Sequence, residues 1–248
     1  MYTMKENKKR MSVQIQCLLM MMVAIIVASM TVTACLEDEN SEENGGNGGG
    51  GVSGKRLKSW VTTCSKPLPE SRMDYSYNTD GTLKRTDTYD ASSKLLIYSI
   101  LTNNSDGKPE KVVTYNANGT VLIETTNTYN PDKTVQKAKM NNFNNGVLAY
   151  TVDVDYTYQN GKKILEVYNM NGIEFGRYSS NYDNNGRRTS TIYTYNANTM
   201  TYTHSYNSDG TLQKITYPYS FEDNTLVTQT YTWENGKTTF SHDDFLAW

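Results

Sequence analysis

From Lys55 onward the chain alternates ring-bearing or aliphatic side chains with polar ones. Aromatics recur two apart in Tyr75/Tyr77, Tyr156/Tyr158, Tyr193/Tyr195, Tyr217/Tyr219 and Tyr231/Trp233. On an extended strand that spacing puts both rings on one face, whereas on a helix they diverge. The runs between are β-branched and aromatic, as in Val112-Val113-Thr114-Tyr115, Thr191-Ile192-Tyr193-Thr194-Tyr195 and residues 228–233. Such residues form strands readily and helices poorly. Asp153 and Asp155 interleave with Val152, Val154, Tyr156 and Tyr158, so they read as the solvent side of an amphipathic strand rather than as a catalytic carboxylate pair.

Turn chemistry punctuates these runs. One class reads Tyr-Asx-x-Asx-Gly at 77–81, 115–119 and 206–210, with variant middles at 168–172 and 182–186. A shorter class, aromatic-x-Asn-Gly, ends at Gly146, Gly161 and Gly236, and degenerate copies fill the gaps. Hairpin loops need positive φ, which Gly adopts without penalty, and the preceding Asn or Asp bonds its own backbone to start the turn. Turns about 12 to 14 residues apart leave strands of about seven to nine residues. The expectation is an all-β fold, an antiparallel meander of about a dozen strands in repeated Tyr-rich hairpins, starting near Lys55. A curled or single-layer sheet and a closed barrel are both open at this point. A membrane-spanning barrel is disfavoured, because Lys84-Arg85 and Lys137 to Lys139 interrupt any lipid-facing band.

Tyr-Asn-Thr-Asp-Gly-Thr-Leu (77–83), Tyr-Asp-Asn-Asn-Gly-Arg-Arg (182–188) and Tyr-Asn-Ser-Asp-Gly-Thr-Leu (206–212) resemble the repeats of the YD-repeat (Rhs-type) family, and less closely MORN-variant repeats. The resemblance covers most of residues 73–240. Rhs proteins build a shell around a toxin from long arrays. This much shorter chain is more similar to small YD-repeat lipoproteins of Bacteroidota, and the shell function does not transfer.

The N-terminus carries a different signal. Lys5, Lys8, Lys9 and Arg10 precede an apolar run from Cys17 to Met30. That run is shorter than the roughly 20 residues that span a bilayer as a helix and suits a signal-peptide core. Val32-Thr33-Ala34-Cys35 resembles the lipobox of bacterial lipoproteins, which implies cleavage before Cys35 and its acylation. Each buried methylene adds about 0.8 kcal/mol, and stable anchoring takes more than one chain. Glu37, Asp38, Glu39, Glu42 and Glu43 follow and resemble the surface-export signal of Bacteroidota lipoproteins. Gly-rich residues then complete a coil spanning roughly 25 Å. The expected organisation is a signal peptide over 1–34, a lipidated acidic and Gly-rich tether over 35–54, and a β domain over 55–248. The expected location is the outer membrane, lipid-anchored and exposed at the cell surface.

Charge and cysteine content then exclude partners. The chain has 24 Lys and Arg against 26 Asp and Glu. Without residues 1–34 and the five tether acids the β domain is balanced, so it has no basic face for nucleic acid. Of Cys17, Cys35 and Cys64, only Cys64 stays free, so no internal disulfide forms. A nucleophile needs a nearby base, and the histidines, His204 and His242, lie far along the chain. Cys64 therefore reads as a small buried hydrophobe. No metal-ligand spacing, phosphate loop or nucleophile elbow is present, so neither a cofactor nor an enzymatic activity is expected. Nineteen of the 20 tyrosines follow the signal, and Tyr must carry much of the packing.

The functional expectation is a membrane-anchored binding or scaffolding lipoprotein with a carbohydrate partner, Tyr193, Tyr195, Tyr231 and Trp233 being the candidate ligand platform. A structural or accessory subunit of an envelope protein complex, meeting its partner through sheet edges, is the alternative, and a secreted hydrolase the third.

Overall fold

A computed structural model describes residues 55–65, 70–221 and 225–236, so the signal, the tether with Cys35, and residues 237–248 with His242 lie outside the described residues. The described chain forms fourteen strands: β1 (Lys55–Cys64), β2 (Ser71–Tyr77), β3 (Leu83–Asp90), β4 (Leu95–Asn103), β5 (Pro109–Asn116), β6 (Val121–Tyr129), β7 (Val135–Asn144), β8 (Val147–Gln159), β9 (Lys162–Met170), β10 (Ile173–Tyr182), β11 (Arg188–Tyr195), β12 (Asn198–Tyr206), β13 (Leu212–Pro218) and β14 (Leu226–Asn235). Every strand pairs antiparallel with its sequence neighbours, and β1 pairs with β14 to close a barrel. The seam runs from Lys55 opposite Asn235 to Cys64 opposite Val227. Closure leaves no free sheet edge through which a partner strand joins.

Burial alternates along the strands as the pleat requires. On β8, Val152 and Val154 are buried while Asp153 is exposed. Leu57, Leu83, Met140, Leu212 and Ile215 are fully buried on the inward rows. Hydroxyl and charged groups share that interior. Ser99 and Thr114 exchange a 2.8 Å hydrogen bond across β4 and β5, and Arg188 lies fully buried against the hydroxyl of Tyr182. The outward rows carry ion pairs, among them Lys111 with Glu124, Lys137 with Asp155 and Arg85 with Asp87. A membrane-spanning barrel needs an outward apolar band about 25 Å tall; here the outward rows carry ion pairs, and the interior mixes aliphatic, aromatic and polar side chains.

The repeated tyrosine has a structural task. Where each Tyr-Asx turn feeds the next strand the register slips by one residue: Tyr77 faces Leu83 while Ser76 faces Arg85, and the same slip follows Tyr129, Tyr182 and Tyr206. Such a bulge disrupts the ladder locally and increases twist, which a sheet needs in order to close. The carbonyl just ahead of a bulge then accepts a hydrogen bond from the aromatic residue of the following turn. Tyr77 donates to the Leu57 carbonyl, Tyr129 to Pro109, Tyr182 to Lys163 and Tyr206 to Arg188, at 2.7 to 2.8 Å. Trp233 donates its indole N–H to Leu212 and Asn103 its amide to Leu83. One ring therefore packs the interior and satisfies a backbone group of the repeat before it.

Candidate binding end of the barrel

In an antiparallel meander every second turn falls at the same end. The turns after β2, β4, β6, β8, β10 and β12 share one end with Lys55, where the chain enters the barrel. Five of the six carry charge, at Asp80, Asp106 and Lys108, Asp132 and Lys133, Asp183 and Arg187, and Asp209, and in the sixth Lys162 directly follows the Asn160-Gly161 turn as the first residue of β9. The loops are held tightly. In three of them an Asp side chain accepts from the backbone N–H and hydroxyl of the Thr two residues on, as Asp80 does from Thr82 and Asp132 from Thr134. Asp209 bonds Lys55 at 2.6 Å and Thr211. The ammonium of Lys55, then the Thr211 hydroxyl, hold its carboxyl far below the usual range.

The opposite end has another chemistry. Among its turns described in full, only the one after β3 carries charge, at Asp90 and Lys94; the others turn on Asn116 to Gly119, Asn145-Gly146, Asn171-Gly172 and Asn196-Ala197. Large apolar side chains stand out from this end. Val147 is 70% exposed and Ile173 72%, with Leu148, Met170, Leu96 and Leu226 around the same rim. Tyr219 joins them, and the remaining exposed large apolar side chain among the described residues, Ile100, lies on the outer wall. Among the described residues this end therefore differs from the other in carrying exposed aliphatic side chains, densest where β8, β9 and β10 meet.

Aromatic rings line the wall just inside this rim. Tyr193 stacks on Tyr178 with centroids 4.5 Å apart. Phe221, in the loop after β13, lies near-parallel to Tyr193 at 5.9 Å and to Tyr195 at 6.4 Å. Gly176 sits under this group: a Cβ there would meet the Tyr193 ring at 3.1 Å. Burial pushes the Tyr193 hydroxyl up to about 12, with the Tyr195 hydroxyl adding to the effect. Tyr202 and Tyr217, tilted against each other at 4.6 Å deeper in the wall, are raised further by the same desolvation.

The four residues expected to form a ligand platform are thus divided. Tyr193 and Tyr195 meet at the apolar end. Tyr231 is buried in the core, its hydroxyl donating to Gln229 at 2.9 Å. Trp233 lies toward the charged end, its indole committed to the Leu212 carbonyl. Phe221 and the aliphatic rim went unnoticed in the sequence, although a signal exists. Val147 and Ile173 directly follow the glycine of an Asn-Gly turn, where turns of the other end place Lys108, Lys162 or Arg187. Elsewhere, Asp153 and Asp155 face outward, Asp155 pairing with Lys137; His204 is buried against Thr191; Cys64 is half-buried. Among the described residues no group of three or more His, Cys, Asp or Glu is placed to hold a metal ion.

No family model and no curated protein matches this chain. Among solved structures it is similar to a porin-like protein from Bacteroides uniformis, at 13% identity over 72% of this chain and 96% of that one, with a TM-score of 0.45. It is also similar to the TcdB2-TccC3 assembly (15% identity, 64% of this chain, TM-score 0.30) and to the Photorhabdus luminescens Tc holotoxin pore (15%, 64%, 0.28). It spans only 10% and 9% of those two chains. None of these likenesses assigns a function.

Proposed function

We propose that this chain is a lipid-anchored envelope protein of the YD-repeat kind, non-enzymatic, held through Cys35 and making its functional contact with the opposite end of the barrel. One observation carries the reading: among the described residues, all large exposed apolar side chains but Ile100 gather at the end away from Lys55. The tether would join the charged end, leaving the apolar end for a binding or scaffolding contact. With no sheet edge available, an accessory-subunit role would also run through this end or the outer wall. A photo-crosslinker placed at Leu148 in cells is expected to give a discrete adduct that the same group at Ser105, on the charged end, does not. Equal labelling from both positions would remove the assignment. Anchoring is checked separately: Cys35→Ser is expected to move the protein from the membrane to the soluble fraction.

Carbohydrate is the second reading, favoured by the near-parallel rings of Tyr193, Tyr195 and Phe221. A glycan array probed with the purified protein is expected to give hits that Tyr195→Ala abolishes, and an array without hits removes this version.

A further inference from the structure

The chemistry of the apolar end narrows what it contacts. Its most exposed large apolar side chains among the described residues, Val147, Leu148 and Ile173, are aliphatic and sit on two adjacent hairpins, β7–β8 and β9–β10. The hairpin tips between them are Asn145-Gly146 and Asn171-Gly172, polar but uncharged. Glu174, just behind, is neutralised by Arg177 through two hydrogen bonds of 2.6 and 2.7 Å. Tyr219 adds an amphipathic ring to the same rim.

We propose that this end inserts shallowly into the interfacial region of a lipid bilayer, the aliphatic tips entering the acyl boundary and the Asn-Gly turns remaining among the headgroups. The inference deepens the contact reading above and rests on its tether for its geometry. Three considerations favour a bilayer over a protein. Separate, protruding side chains fit a soft apolar medium without the close complementarity that a protein interface demands. Interfacial insertion draws on buried apolar area together with aromatic side chains at headgroup level, and both are present. The Asn145-Gly146 and Asn171-Gly172 tips carry no charge, whereas five of the six turns at the opposite end do; with Asp90 and Lys94 on the separate β3–β4 hairpin, the cost of taking these two tips into lipid is lowered.

Reach is sufficient. Strands of seven to thirteen residues make the barrel about 45 Å tall or less. The twenty residues from Cys35 to Gly54 extend to about 70 Å at most, so an acylated Cys35 and the apolar end reach the same leaflet. A weak insertion is then favoured by the high local concentration that tethering provides.

The test uses the lipidated full chain in phosphatidylethanolamine/phosphatidylglycerol vesicles containing dibrominated acyl chains. Leu148→Trp and Ser105→Trp place a reporter at the apolar and charged ends, with the fluorescence of the unsubstituted protein subtracted. The expected result is at least twofold greater bromine quenching of the apolar-end reporter, reduced to the charged-end level by adding Ile173→Asp. Equal quenching at both ends, with the protein still floating with the vesicles, overturns bilayer insertion and leaves the anchoring intact. An unsubstituted protein that fails to float removes the anchoring reading instead. Blue-shifted but unquenched Leu148→Trp emission, with a dimer in sedimentation, identifies a second copy as the occupant and also overturns the proposal.

Discussion

Tyr77 illustrates how one residue type serves two purposes. Its ring packs with the interior cluster around Leu57 and Leu83, and its hydroxyl occupies the carbonyl that precedes the bulge on β1. Tyr77→Phe keeps the ring and strands the carbonyl, and the expected loss is about 1 kcal/mol, read as a lower urea midpoint at unchanged m-value. Gly176 is constrained for another reason. Gly176→Ala would drive a methyl against the Tyr193 ring, with an expected cost of about 1–3 kcal/mol from overpacking and a changed near-ultraviolet dichroism of the Tyr193 stack. The tyrosines were visible in the sequence as packing residues. Their hydroxyl partners were not, because those depend on where the bulges fall.

At the scale of elements, the turns vary in how well their residues fit the backbone. Gly81 and Gly210 hold positive φ at the turn position that Lys133 occupies in the hairpin after β6, also at positive φ (+68°). A side chain pays about 1–2 kcal/mol for that conformation, partly offset because glycine has more freedom to lose on folding. The exposed Lys133 ion pair with Asp106 adds little. Lys133→Gly is therefore expected to stabilise the protein by about 0.5–1 kcal/mol, measured by thermal or urea unfolding. The hairpin positions were legible because Asx-Gly chemistry is local. The seam between β1 and β14 was not, since it joins residues 163 to 180 positions apart and no local pattern encodes it.

Over the whole molecule the tyrosine-rich interior sets an alkaline limit. Tyr193 is raised from 10.0 to about 12, and Tyr178, Tyr202, Tyr217 and Tyr231 lie higher still, burial being the leading cause for each. A folded value above the unfolded one means that the fold favours the neutral phenol. That stabilisation is complete below pH 10 and is lost as pH rises through 12. For Tyr193 alone it is on the order of 2 kcal/mol. The expected outcome is a stability plateau to about pH 9–10, then cooperative unfolding in which tyrosinate absorbance at 295 nm and loss of β-sheet dichroism rise together. Separate titration of the buried phenols in an intact fold would contradict this.

The sequence by itself determined the strands, their alternating faces, the position of most turns and the near-neutral β domain, because side-chain periodicity and positive-φ turn chemistry act over a few residues. Tertiary structure alone decided that the meander closes, that aliphatic, aromatic and selected polar side chains share the inside while most ion pairs lie outside, and that its two ends differ. Closure rests on twist accumulated at one bulge after another. The asymmetry arises because alternate turns are gathered onto opposite rims, so Val147 and Ile173, unremarkable along the chain, become neighbours only once the strands are laid side by side.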